Sequence, residues 1–162
     1  MSEGRPRNGN GRGHEISDLD KRIIEHLHED GRWPFTQIAA DLGVSEAAVR
    51  ARTNRLIERG ILQVVGVTDP LKLGFQQWAM IGVKVQADRL IEVAEEIAAF
   101  PETDYVVVTA GSYDILVEAV AEDNDALLRF LSDKLRKIPG VRETETFVYL
   151  RLMKQSYQWG TR

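Results

Sequence analysis

The sequence predicts an α+β chain in two parts. An N-terminal helix-turn-helix domain of the winged type is joined by a linker strand to a C-terminal β-α-β-β-α-β domain. Three observations predict this. Residues 36–60 read TQIAADLGVSEAAVRARTNRLIERG: a short helix pattern, a Gly turn, a Ser cap and a helix bearing Arg50, Arg52, Arg55 and Arg59. Residues 61–70, ILQVVGVTDP, are apolar and β-branched and stop at Asp69-Pro70. From Gln77 onward, alternating apolar runs and helical apolar stripes follow one another.

Residues 1–14 are rich in Gly, Asn and Arg and have no apolar periodicity, so they are expected to form a disordered arm. The domain of residues 15–62 opens with Ser17 and, three positions on, Asp20, which together make a capping box. Leu19, Ile23, Ile24 and Leu27 give this first helix one apolar face, and Gly31 stops it. Ile38, Ala39 and Leu42 are the inward stripe of a second helix. Gly43 suits the left-handed position after its end, and Val44 can turn into the core. Ser45 caps the third helix, with Glu46 complementing the dipole in its first turn. Val49, Leu56 and Ile57 read as its buried stripe, and Gly60 ends it.

Residues 63–74 read as linker strand and turn, 75–152 as the second domain, and 153–162 as a tail. In the second domain Ala79, Ile81, Val83 and Val85 alternate along a first strand. Leu90, Ile91, Ala94, Ile97 and Ala98 follow helical spacing. Residues 105–110 and 115–121 make two strands joined through Gly111, Ser112 and Tyr113. Leu127, Leu128, Leu131, Leu135 and Ile138 mark a second helix, and 141–152 the last strand. Phe100-Pro101 and Ile138-Pro139 both close a helix before a strand. This order is the ferredoxin-like arrangement, which puts both helices on one face of the sheet. Val106, Val107, Val108, Ile115, Leu116 and Val117 are apolar on both faces, so the uncovered face calls for a partner. A second copy is expected there, forming an isologous homodimer.

Length and composition set limits. The 162 residues carry a net charge of −4 and 43% apolar side chains. That balance argues against a protein that coats DNA by charge alone. The basic excess sits over residues 45–60, where four arginines face only Glu46 and Glu58. No apolar run reaches the roughly 18 residues of a membrane span, and the N-terminus lacks an apolar leader core. There is no cysteine, hence no disulfide framework and no thiolate metal site. A cytoplasmic protein without metal or cofactor is expected. His26 and His28 are two apart and share no helix face, and no nucleophile motif or phosphate loop occurs, so no enzymatic activity is expected.

For duplex DNA, the candidate residues face away from the buried stripe of the third helix: Ser45, Glu46, Ala47, Arg50, Ala51, Asn54 and Arg55. Ser45 and the backbone amides around it can hold a phosphate. Arg50 and Asn54 lie one turn apart and are the side chains that bond bidentately to guanine and adenine. Ala47 and Ala51 permit close approach. Arg52 points towards the domain and reads as structural or phosphate-binding, and Trp33 as a core or hinge aromatic.

Three stretches resemble the Lrp/AsnC family of regulators. They are Ser17-Asp18-Leu19-Asp20 with Ile23, Ile24 and Leu27; Ile38-Ala39, Leu42-Gly43, Val44-Ser45, Val49, Arg52, Leu56 and Gly60-Ile61; and Thr109-Ala110-Gly111-Ser112-Tyr113-Asp114, which is similar to the family's G-x-x-D loop. The resemblance implies transcription regulation, dimers that assemble to an octamer, and response to an amino acid. It points to Thr109, Ala110, Gly111, Ser112, Tyr113 and Asp114 as effector residues. Gly111 would open backbone amides to a carboxylate, and Asp114 would pair with an ammonium group. Thr144 and Thr146 on the last strand are added as hydroxyl donors. Thr53 departs from the family's large aliphatic residue, and its hydroxyl is expected to bond back to its own helix. Siroheme decarboxylases also resemble this two-domain layout and give an enzymatic alternative, against which stands a second domain without histidine. A further alternative is an assembly or effector-binding protein whose reading head no longer works.

Overall fold

A computed structural model describes residues 16–156. Contacts divide the chain into two compact units, one ending at Gly66 and the other spanning Val67–Gln155. The expected arm over 1–14 lies outside the described residues, as does the tail from 157 on.

The first unit holds three helices: α1 (Asp18–Glu29), α2 (Phe35–Leu42) and α3 (Glu46–Glu58). The capping box is present. Ser17 Oγ accepts the Asp20 N–H, and the Asp20 carboxylate accepts the Ser17 N–H, each at 3.2 Å. Asp30 caps the C-terminus of α1, one residue ahead of the expected Gly31. Gly43 closes α2 at φ 68°, the left-handed conformation that costs other residues a Cβ clash. Ile23, Ile24, Leu27, Ile38, Ala39, Val49, Leu56 and Leu62 form the core, with Trp33, Phe35, Leu42 and Val44 packed against it.

One expectation for α3 is corrected. Its buried stripe is Val49, Thr53 and Leu56, whereas Ile57 is 44% exposed. At about 100° per residue, positions 49, 53 and 56 keep one heading and 57 drifts off its edge. The Thr53 hydroxyl does not bond back to the helix; it is buried without a hydrogen-bond partner. An unpaired buried hydroxyl costs stability that an isosteric methyl would not. Thr53→Val is therefore expected to stabilise this unit by about 1 kcal/mol, read as a higher unfolding midpoint. An unchanged or lower midpoint would rule out an energetically orphaned hydroxyl.

The linker strand is also corrected. Residues 61–69 join no sheet ladder, and Val64, Val65 and Val67 are exposed. A β-branched run has strand propensity, but a strand exists only with a neighbour to bond, and among the described residues no strand pairs with it. Nor does a β-hairpin wing follow α3 among the described residues.

The second unit carries β1 (Gln77–Val85), α4 (Leu90–Ala98), β2 (Thr103–Val108), β3 (Ile115–Ala121), α5 (Asn124–Arg129) and β4 (Val141–Val148). The sheet order is β2-β3-β1-β4 and every pair is antiparallel, the ferredoxin-like topology expected. Pairings such as Ile81↔Val117 and Val83↔Ile115 put β1 and β3 in register, and Val106↔Val117 extends the row into β2. Ile81, Val83, Ile115 and Val117 are fully buried beneath Val93 and Ile97 of α4 and Phe130 and Leu135 beyond α5. Each such burial contributes about 1.5–3 kcal/mol.

Both helix stripes differ from expectation. In α4, Val93 and Ile97 point inward, while Ile91 is 60% exposed. After α5 the chain makes a π turn over Phe130–Lys134 and a 3-10 turn over Leu135–Lys137. The inward residues become Leu127, Phe130, Leu135 and Ile138, and Leu128 turns out to solvent. A π turn takes an extra residue per turn, so a strict 3.6-residue count loses phase there. The strands bracket the expected ones: β3 matches, β2 begins and ends two residues early, and β4 ends at Val148.

The other sheet face carries Trp78, Met80, Gly82, Tyr105, Val107, Leu116 and Phe147, as the pairing register requires. Tyr105 and Phe147 are about half exposed. Tyr149 closes one end, its ring 5.2 Å from that of Trp78 and its hydroxyl bonded to Glu118 Oε1 at 2.9 Å. Burial, with the adjacent Glu118 carboxylate, pushes the Tyr149 phenol up to about 12. At the other end the Tyr113 ring lies on Gly82: a Cβ there would sit 2.6 Å from Tyr113 Cγ.

Candidate nucleic-acid interface and effector loop

The candidate reading surface is built by α3. Ser45 Oγ accepts the Ala48 N–H at 3.2 Å and starts the helix. Glu46, Ala47, Arg50, Ala51 and Asn54 then line one shallow depression on the side opposite Val49 and Leu56. Ser45 and Arg55 lie outside its lining. Arg50 does not hang free. Its Nη2 is 2.5 Å from Glu46 Oε1, and its Cζ lies 5.2 Å from the centroid of the Phe35 ring. Sequence reasoning missed Phe35; its signal was an aromatic directly after Pro34 at the start of a helix.

Two further arginines of α3 reach back to α1. Arg52 Nη1 donates to Asp20 Oδ1 at 2.9 Å and to Ser17 Oγ at 3.1 Å, tying α3 to the cap of α1. Arg55 Nη2 is 3.6 Å from the same Asp20 oxygen and stays half exposed. The Asp20 side chain is only 5% exposed. Burial pushes its carboxyl up, but hydrogen bonds from Ser17 and Arg52 outweigh this and hold it below the usual carboxylate range. Asp20 thus aims Arg52, and more loosely Arg55, from a position some thirty residues away in sequence.

In the second unit the effector candidates form the β2–β3 connection, residues 109–114. Thr109 N–H donates to Asp114 O at 2.9 Å, and Thr109 Oγ1 to Tyr113 O at 2.6 Å. Asp114 N–H donates to Val83 O, and Asp114 Oδ2 accepts the Val85 N–H at 2.8 Å. The β1–β3 ladder ends at Val83↔Ile115 and a bulge interrupts the β1–β4 ladder at Lys84/Val85, so the carboxylate stands in for a missing strand carbonyl. Gly111 is exposed, has no left-handed φ, and a Cβ on it would meet nothing within 4 Å. Neither turn geometry nor packing explains a glycine there. Ala110 and Ser112 are likewise exposed.

Thr144 and Thr146 lie on the helix-covered face of β4, opposite Val83 and Ile81. Ile115, Val83 and Thr144 form one cross-strand row, so Thr144 is two strands, about 10 Å, from the start of β3. Its hydroxyl accepts from Arg136 Nε at 2.9 Å, a cation the sequence reading did not single out. The structure brings Thr109, Tyr113 and Asp114 together; Thr144 shares their end of the sheet, and Thr146 is a step further along β4.

These two sites define a class: a helix-turn-helix DNA-binding unit coupled in one chain to an α+β ligand-binding unit. The family comparisons agree. An AsnC-type helix-turn-helix domain matches residues 16–57, and the Lrp/AsnC ligand binding domain matches residues 78–159. The chain belongs to the Lrp/AsnC family of transcriptional regulators. The HTH-type transcriptional regulator PH0140 of Pyrococcus horikoshii is 34% identical over 144 residues, covering 88% of this chain and 91% of that protein. LrpA of the same organism is 36% identical over 140 residues, covering 86% and 99%. Among solved structures, AsnC of E. coli superposes with a TM-score of 0.80 at 24% identity, covering 88% of this chain and 97% of that one. The regulator NMB0573 of Neisseria meningitidis, solved as a complex with L-Met, gives 0.80 at 23%, covering 88% and 95%. The siroheme decarboxylase alternative gains no support from these likenesses. No helix among the described residues is long and apolar enough to cross a membrane.

Proposed function

We propose that this regulator is a cytoplasmic, non-enzymatic homodimer, assembling further to an octamer, that reads operator half-sites with Ser45, Glu46, Ala47, Arg50, Ala51, Asn54 and Arg55. The observation that carries the reading is the shallow depression in which Arg50 and Asn54 stand one turn apart beside Ala47 and Ala51. Two base-reading side chains with small neighbours fit a major-groove edge. Arg50→Ala is expected to cost about 1–3 kcal/mol on the selected duplex and to relax preference at one position per half-site. The measurement is selection from a random duplex library, followed by titration. Equal losses on selected and random DNA would reduce Arg50 to a phosphate contact.

The effector proposal is a small amino acid or related metabolite at residues 109–114, with Thr144 and Thr146 nearby. Two things support it: the glycine at 111 that the fold does not require, and the L-Met complex of a structural neighbour. Since Asp114 Oδ2 also serves Val85 N–H, the informative change is Asp114→Asn, which keeps an acceptor and removes the charge. Loss of a charge-assisted contact of about 1.5–3 kcal/mol should weaken binding roughly tenfold to a hundredfold in calorimetry against the common amino acids. A wild type that binds none of them below millimolar would end the proposal. Unaltered binding in the variant would move the ammonium site elsewhere.

A further inference from the structure

Arg50 is held on two sides, by an aromatic ring and by a carboxylate. Phe35 opens α2, sits against the apolar core, and turns its ring face to the guanidinium at 5.2 Å. Glu46, one helical turn before Arg50, bonds Nη2 at 2.5 Å while both side chains remain substantially exposed. An exposed pair of this kind adds little to stability. Its effect falls on what Arg50 can do. A guanidinium has five N–H donors in one plane. Phe35 lies beneath the guanidinium and Glu46 takes an Nη2 donor, which leaves further N–H donors for a partner at the depression that Arg50 lines. The paired carboxylate also cancels the local net charge.

Phosphate attracts any cation at any position along the duplex, whereas a guanine edge rewards only a correctly oriented donor pair. We infer that Phe35 and Glu46 are positioning residues that make Arg50 a selective base reader: Phe35 sets the plane of the guanidinium, and Glu46 suppresses its attraction to phosphate. The inference rests on the reading of Arg50 as a base contact. It gives Glu46 its part in the reading through Arg50, and gives Phe35, absent from the sequence-based site, a part in specificity.

The test uses the full chain on a duplex recovered by selection and on random duplex, each over a salt series. Glu46→Gln should tighten random-duplex binding about 3-fold to 10-fold and steepen the slope of log K against log salt by about 1, as one more phosphate is engaged. The preference for the selected duplex should fall roughly tenfold. Phe35→Leu should weaken selected binding about twofold to fivefold, the scale of an exposed cation–π contact, with random binding and salt slope unchanged. Phe35→Tyr, which keeps the ring face, should restore it. Thermal unfolding of each variant separates these effects from loss of fold. If Glu46→Gln leaves preference and slope unchanged while Arg50→Ala removes the preference, the inference is overturned and the reading of Arg50 stands. If Phe35→Leu weakens both duplexes equally, or Tyr fails to rescue, Phe35 is only a core residue. A wild type that does not distinguish selected from random duplex overturns the Arg50 reading and this inference with it.

Discussion

Asp20→Ala is expected to lower the stability of the helical unit by about 2–4 kcal/mol, because it removes a buried carboxylate that satisfies Arg52 and half of the capping box. Arg52 is left partly buried without its anion, and Ser17 loses the acceptor for its hydroxyl. Denaturant unfolding of the full chain measures it, and a loss below about 1 kcal/mol would mean that water replaces the carboxylate at little cost. Asp20→Asn should fall between, since an amide still accepts the Ser17 N–H. The same group gives a pH signature. The folded carboxyl titrates below its unfolded value of about 3.9. Its contribution is therefore complete above that value and is lost as pH falls through the lower, folded one. Wild type should lose stability on acidification in that window, and Asp20→Ala should lose less.

The second large effect is expected at Gly82. A Cβ there would stand 2.6 Å from Tyr113 Cγ and 2.7 Å from both Cδ atoms, closer than carbon atoms approach. These are the near atoms of the ring, so a terminal torsion cannot relieve the clash; Tyr113 must swing off the sheet or the 109–114 loop must shift. Gly82→Ala should cost about 1–3 kcal/mol of stability, as overpacking does. Pairing it with Tyr113→Ala should recover most of that, a coupling of about 1 kcal/mol or more between two residues that touch. The readouts are unfolding and the aromatic circular dichroism. If the open face is the dimer surface, sedimentation of Gly82→Ala should also show more monomer at equal concentration. A Gly82→Ala protein as stable as wild type, with or without Tyr113, would show that the ring leaves freely.

What could be read in the sequence was local. The Ser17–Asp20 box, the left-handed Gly43 and the Ser45 cap each depend on residues within a turn of one another. The β-α-β-β-α-β order followed from periods of 2 and 3.6. What escaped was phase and partnership. Ile57 was counted as core because it is apolar, and Thr53 as a departure because it is not, although helical phase puts Thr53 inside. The linker was read as a strand from composition, but a ladder needs a second strand that composition cannot supply. In the candidate reading site, Arg50 and Asn54 stood out because their side-chain chemistry is explicit. Phe35 and Asp20 did not, because their contacts with Arg50 and Arg52 cross from one helix to another. At the candidate effector loop the motif was visible; the service of Asp114 to the β1 backbone was not, since it depends on where two ladders stop.

The π turn over Phe130–Lys134 bears on how this chain tolerates loss of a residue. In a strand, one deletion exchanges the two faces of everything beyond it. In an ordinary helix it rotates everything beyond it by about 100°. Here the inward residues Phe130 and Leu135 are five apart, and removing one residue between them restores the four-residue interval of an α-helix. Leu127 and Phe130 on one side and Leu135 and Ile138 on the other would keep their headings. Ser132 and Asp133, within this turn, thus mark a place where a gap in the regular structure can be absorbed without reshuffling the core.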